Sequence, residues 1–401
     1  MSTQRKSVLV LLENVPVRGD HRVWPECVAL RDDGYDVVVI SPRRDGSRTT
    51  VDVVDGIEVH SFPLVPAEHG AASYLKEYAV AFWRMGRLAR RLGRQRRFDI
   101  VHACNPPDFL LVAAWPLKRR GARFVFDQHD LAPELYYSRF GKRGPLYWST
   151  LALERLTFRL ADVVLSTNDS YRRVALDRGG KRPEDVFVVR NGPDLRHFRA
   201  NPDPSLKRGK PNLIAYVGEI GHQDGVDHAL RALALVAQQR NDWRVIFAGD
   251  GPALASVREL AEKLGLRDEV EFAGFVSDHM VMKIVSTADL CLAPEPKNAF
   301  NDASTMIKVA EYMALGRPLV AYDLTETKVT AGDAALYATD NDVRNFADCI
   351  TRLLDDRELR DRMGEIGRAR VEDALSWEQS ERALLAAYAH ALGLPGGTEG
   401  R

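Results

Sequence analysis

The stretch Asn298-Ala-Phe-Asn-Asp302-Ala-Ser304-Thr-Met306-Ile-Lys308-Val-Ala-Glu311-Tyr-Met-Ala-Leu-Gly316-Arg-Pro318-Leu-Val-Ala-Tyr-Asp323 holds a loop, a helix and a strand in turn. Met306, Ile307, Ala310, Met313 and Ala314 fall on one face of a helical period. Gly316 suits the left-handed position beyond a helix end, and Pro318 cannot continue the helix. Residues 319–322 then read as a short buried strand. Ser304 is placed to cap the helix, which would turn the backbone N–H groups of Thr305 and Met306 toward a ligand. That suits an anion, and Lys308 adds positive charge within the first turns. Glu311, three residues past Lys308, shares its face and can accept two hydrogen bonds from a sugar diol. An ordinary amphipathic helix with a surface Lys–Glu pair fits the same residues.

Outward from this stretch the strand–helix alternation repeats. Apolar runs at 8–12, 37–40, 57–62, 100–103, 124–127, 163–166 and 186–189 are spaced for helical crossovers, as are those at 213–217, 245–248, 270–272, 290–293 and 319–322. Between the two sets, 199–211 is rich in Pro, Gly and charge and reads as a linker. The expectation is an α/β chain of two doubly wound Rossmann-like domains, 1–198 and 212–375, with ligands at the carboxyl ends of the strands and a cleft between facing domains. Helical patterns close the chain at 342–372 and 376–392, before a Gly-rich tail at 393–401 expected to be mobile.

Composition excludes several classes. The 401 residues carry 56 Lys plus Arg against 56 Asp plus Glu, so no global field attracts nucleic acid. Cys27, Cys104, Cys291 and Cys349 have no paired spacing, so neither disulfides nor a zinc site is expected. The amino terminus lacks the apolar core of a signal peptide, and no run is long enough to span a bilayer. A cytoplasmic protein is expected.

The run from Lys308 through Glu311 to Gly316 and Pro318 resembles the nucleotide-sugar site of the retaining glycosyltransferases of family 4, which have the GT-B fold. There a Glu, seven residues and a second Glu mark the site. Glu311 matches the second, which binds the nucleotide ribose, while the first position holds Ala303. The resemblance covers nearly the whole chain. It implies an acceptor-side first domain, a donor-binding second domain and a last helix, begun by Ser376-Trp377-Glu378, that crosses back to the first. Asp20, Arg22, Val23, Glu26 and Leu30 resemble the family's opening, whose loop, here with Gly19, lies near the donor phosphates and the acceptor; plain turn residues would read alike. Asp127-Gln-His129-Asp130 follows a strand, and His129 matches a histidine that lines the sugar site. A donor sugar hydroxyl or a backbone carbonyl would be its partner, and Asp130 an acceptor-side or orienting group. Gly218, Gly249, Phe275 and Val276 stand in further family loops, the last two as base contacts.

One departure is consequential. The family commonly places basic residues where this chain has Glu219 and Asp224. Acids there repel a diphosphate, so its charge must be met elsewhere, with Lys308 favoured over a divalent cation; no tightly bound cofactor is expected. Tyr136, Tyr137 and Arg139 belong to an aromatic-basic stretch that suits sugar stacking or a lipid-linked acceptor, and ordinary packing equally. Seven arginines and no acid between 82 and 97 form a basic face that suits either anionic lipid or plain solvation. The expected reaction moves a sugar from a nucleotide-diphosphate sugar, UDP before GDP, to a saccharide or lipid-linked acceptor. A GT-B sugar-nucleotide epimerase and an inactive sugar-nucleotide-binding protein are the rivals. A Rossmann dehydrogenase is disfavoured, because no Gly-x-Gly-x-x-Gly follows the first strand.

Overall fold

Ser7-Val-Leu-Val-Leu11 is buried along its whole length, as a central parallel strand covered on both faces must be. It is β1 of a computed structural model that describes residues 5–43, 48–64 and 71–394, with only the backbone for 71–78. The rest of the first sheet is β2 (Asp36–Arg43), β3 (Thr50–Val54), β4 (Ile57–Pro63), β5 (Ile100–Cys104), β6 (Arg123–Gln128), β7 (Val163–Ser166) and β8 (Val186–Val188). Their order is β3-β4-β2-β1-β5-β6-β7-β8, parallel throughout except that β3 runs against β4. The second sheet has β9 (Asn212–Val217), β10 (Trp243–Ala248), β11 (Val270–Gly274), β12 (Leu290–Ala293), β13 (Leu319–Tyr322) and β14 (Ala335–Ala338), ordered β11-β10-β9-β12-β13-β14 and wholly parallel. Each sheet has helices on its faces and a core of its own, around Leu9, Val101 and Phe124 in one and Ile214, Val245 and Val320 in the other. These are the two Rossmann-like α/β halves of the expected architecture.

The chain divides into two compact units, one of 1–191 with 380–401, the other of 192–379. The stretch 199–211 is fastened to the second unit: Asn201 and Asp203 donate backbone N–H groups to Ser286 Oγ and Thr287 Oγ1, and Lys207 pairs with Asp289 at 2.7 Å. The last helix, Trp377–Leu392, brings Tyr388 to the first unit, where its hydroxyl lies 2.6 Å from His102 Nδ1 and its ring 5.6 Å from Tyr35. Most of the tail expected to be mobile lies outside the described residues. Two strands are additions to the sequence reading. β3 is an edge strand whose Val51 and Val53 stay exposed, and β14 is a four-residue strip too short to stand out.

Candidate active site

In the second unit, the loops leaving β9 and β12 meet the helix Ile307–Ala314. Lys308, 10% exposed, places Nζ 2.5 Å from Glu295 Oε1, donates to the Tyr216 hydroxyl at 2.9 Å and sits 4.2 Å from that ring's centre. The Tyr216 hydroxyl donates in turn to the Glu219 carbonyl at 2.6 Å. Burial works to lower the Lys308 pKa, but Glu295 and the neighbouring hydroxyls outweigh it and hold the ammonium well above its ordinary value. Burial pushes the Glu295 carboxyl up, against the pull of Lys308, and its Oε2 has no hydrogen-bond partner among the described residues. Gly218, at φ 143°, passes so close that a Cβ there would lie 2.9 Å from Lys308 Cε. A Cβ on Gly249 would lie 1.8 Å from the Gly218 carbonyl oxygen, so that glycine serves the stacking of two loops. A desolvated ammonium beside bare backbone is a strong donor for a phosphate oxygen.

The amino terminus of this helix differs from the sequence reading. Asn298 caps a separate short helix, Ala299–Ala303, by accepting from the N–H groups of Phe300 and Asn301. Ser304 ends that helix, and its hydroxyl donates to the Phe300 carbonyl at 2.7 Å. The following helix starts at Ile307 with Met306 as its cap residue. Ser304 therefore does not cap it, and its first N–H groups lie further along than Thr305 and Met306. The stronger cap, an Asn accepting two N–H groups, turns what reads as a polar loop into helix. Glu311 is half-buried on the same helix as Lys308.

Two of the acids that could hold a cation serve the chain itself. Asp224 Oδ2 accepts from Gly221 N at 2.9 Å, and both Asp302 oxygens accept from Thr325. Glu219 is exposed. Phe275 stands 88% exposed beyond β11, while Val276 is partly buried against the core.

In the first unit a buried network lies at the carboxyl end of β6. Arg22 clasps Asp127, with Nη2 2.6 Å from Oδ1 and Nε 3.0 Å from Oδ2, and donates Nη1 to the Val189 carbonyl and Asn191 Oδ1. Asp127 Oδ2 also meets His129 Nε2 at 2.5 Å, and His102 Nε2 lies 3.4 Å from it. Burial alone would raise the Asp127 pKa; Arg22, His129 and His102 outweigh it and hold the carboxylate well below its ordinary value. Glu26, 3.3 Å from Arg22 Nε, is pushed well above its own by burial and by Asp127 beside it. Asn105 pins the adjoining loop, accepting from the N–H groups of His129 and Asp130 and donating to the Asp130 carbonyl and Asp108 Oδ1. The imidazole is thus oriented by Asp127, because residues 127 and 129 alternate onto one face, and of the two roles expected for Asp130 the acceptor-side one is left. His102, Cys104 and Asp127 bring ligand atoms within 4.8 Å of one another. The Asp127 oxygens are already engaged by a guanidinium and an imidazole, which disfavours a cation there.

The remaining first-unit candidates have local work. Asp20 Oδ1 accepts from Arg22 N and Val23 N just ahead of the helix Val23–Asp32, and Gly19 has open space around its Cβ position. Tyr136, Tyr137 and Arg139 lie on the helix Ala132–Phe140. Tyr136 packs on Phe140, Tyr137 carries the Arg143 guanidinium over its ring, and Arg139 is exposed. Sequence reasoning missed Glu295 and the pairing of Arg22 with Asp127. Glu295 did leave a trace, an acid between two prolines directly after β12.

Comparison with known proteins places both halves. Residues 198–370 match the model of Glycosyl transferases group 1, and residues 21–192 that of a Glycosyl transferase 4-like domain. The chain is 32% identical over 155 residues to an alpha-D-kanosaminyltransferase of Streptomyces kanamyceticus, covering 38% of this chain and 39% of the relative. It is 28% identical over 257 residues to a 2-deoxystreptamine glucosyltransferase of the same organism, covering 60% and 64%. It therefore spans less than two thirds of the length of either curated relative. Among solved structures, a sucrose-phosphate synthase from Thermosynechococcus elongatus superposes with a TM-score of 0.79 at 17% identity, over 97% of this chain and all of the other.

Proposed function

We propose, from the premise that this chain belongs to the group 1 and 4-like glycosyltransferases of the GT-B fold, that it is a retaining nucleotide-sugar-dependent glycosyltransferase. The observation that carries this reading is Lys308, a buried ammonium at the carboxyl ends of β9 and β12 beside the bare backbone of Gly218. The donor lies on the second unit, its diphosphate against Lys308 and its ribose on Glu311. Phe275 and Val276 reach toward the base, while Gly19, His129 and Asp130 attend the sugar and the acceptor. UDP is the favoured nucleotide by its frequency in the family, and GDP follows. The acceptor, a saccharide or a lipid-linked one, takes Asp20, Tyr136, Tyr137 and Arg139 as its contacts.

The bond between the anomeric carbon and the phosphate oxygen breaks, and its electron pair stays on the leaving diphosphate. The acceptor oxygen bonds to the same face of that carbon, and its proton passes to the departing phosphate. Lys308 stabilises the charge that grows there. Among the described residues no helix is long and apolar enough to cross a membrane. Peripheral contact with the cytoplasmic membrane face through the helix Ala71–Gln95 completes the proposal.

The test is a panel of UDP-, GDP- and TDP-sugars, with release of nucleotide followed with and without saccharide or lipid-linked acceptors. Acceptor-dependent release, with the anomeric configuration of the donor kept in the product, supports the reading. Release that ignores acceptors favours an epimerase, and tight binding without release favours an inactive binding protein.

A further inference from the structure

We propose that Asp127 is a positioning residue that keeps the His129 proton on Nε2, so that Nδ1 meets the ligand as a hydrogen-bond acceptor for a sugar hydroxyl. That the ligand is a sugar donor rests on the function proposed above. An ionised carboxylate can only accept, so the 2.5 Å contact between Asp127 Oδ2 and His129 Nε2 requires the hydrogen on nitrogen. The negative charge sits on Asp127 and not on Glu26 for a geometric reason. Two buried carboxylates share one guanidinium; Arg22 makes its close bonds to Asp127, at 2.6 and 3.0 Å, and comes only to 3.3 Å from Glu26. Neither Glu26 oxygen has a hydrogen-bond partner among the described residues, a setting that disfavours a charge there. His102 completes the setting from β5, with Nδ1 2.6 Å from the Tyr388 hydroxyl and Nε2 toward Asp127.

Whenever the imidazole carries a single proton, that proton is the one Asp127 holds on Nε2, which leaves Nδ1 bare, and Nδ1 makes no hydrogen bond to the described residues. Phosphate oxygens at neutral pH are acceptors, so two lone pairs would face each other there. A hydroxyl donates to Nδ1 without conflict. His129 then serves the sugar, and the diphosphate is left to the second unit. The residue that decides this lies beneath the site and touches no substrate.

The test uses the full-length protein with 15N-labelled histidine. The imidazole signal lost in His129→Gln is assigned to His129. The expected wild-type pattern of the singly protonated imidazole is that of the Nε2–H tautomer, becoming a mixture in Asp127→Asn, where Glu26 can give up its proton to balance Arg22. Calorimetry with UDP and GDP should show affinity within about twofold of wild type in His129→Gln, while turnover of a sugar donor falls roughly tenfold or more, the scale of a lost hydrogen bond. An Nδ1–H tautomer in the wild type overturns the proposal. So does a pattern that Asp127→Asn leaves unchanged, or a tenfold loss of nucleotide affinity in His129→Gln. Should Asp127→Asn not fold, the wild-type tautomer decides alone. If neither nucleotide binds the wild type, the donor reading fails, and the tautomer still reports on Asp127.

Discussion

Lys308 brings a full positive charge to a place water hardly reaches, and the Glu295 carboxylate 2.5 Å away compensates it. A diphosphate arriving beside Gly218 would compete with Glu295 for that ammonium. Neutralisation by Lys308 predicts that Lys308→Ala lowers turnover by roughly a hundredfold, the usual loss for a transition-state charge partner, while a chelator has little effect. Abolition by chelator with a mild Lys308→Ala effect would transfer the role to a cation. The engagement of Asp224 with Gly221 and of Asp302 with Thr325 argues for the lysine. A second residue-scale prediction concerns Asp108, whose pKa burial raises to about 7 against the hydrogen bond from Asn105. Its folded value exceeds its unfolded one, so the folded protein holds the extra proton between those values. The contribution of Asp108 to stability should therefore be greatest in acid, fall as pH rises from about 4 to 7, and change little beyond. Asp108→Asn keeps the acceptor for Asn105 and removes the charge. Relative to wild type it should gain on the order of 2 kcal/mol at pH 8 and little at pH 4, read by thermal melts. An equal difference at both pH values would refute this.

At the scale of elements, the stacked loops after β9 and β10 leave no room for a side chain at Gly249. Gly249→Ala should destabilise by about 2 kcal/mol or more, because backbone must move to admit the new methyl group, and a melting temperature unchanged within error would contradict the loop contact. The helix Ala71–Gln95 buries Met85, Ala89 and Leu92. Two of the arginines between 82 and 97 serve the fold, Arg84 donating to the Pro63 carbonyl and Arg96 pairing with Glu58 and Asp36. Arg87, Arg90, Arg91 and Arg94 stay exposed, with Trp83 61% exposed beside Arg87. Vesicle sedimentation should show binding that grows with anionic lipid and weakens with salt; equal binding to neutral vesicles would leave the face merely solvated. What was legible in these elements follows from burial. The central strands read clearly because both their faces are covered. β3 hid because its outer side chains alternate with polar ones at a sheet edge, and the short helix Ala299–Ala303 because its cap looks like loop.

For the whole molecule, the alternation of buried strands and crossover helices made two doubly wound units legible without any contact being known. The sites were legible in part. Lys308 and His129 stand out beside strand ends, but their partners do not: Arg22 and Asp127 are 105 residues apart, and only the neighbouring placement of β1, β5 and β6 brings them together. Glu295 and Lys308 are separated by a loop and a short helix whose path periodicity cannot give. The account as a whole turns on the second unit holding a nucleotide with Glu311 on its ribose. Calorimetric titration of UDP and GDP into the wild type and Glu311→Ala is the direct measurement. The account predicts saturable binding of at least one nucleotide by the wild type and a loss of about 1.5 kcal/mol or more in the variant, the scale of a hydrogen bond to a charged group. Unchanged affinity in a folded Glu311→Ala, or no binding by the wild type, would contradict it.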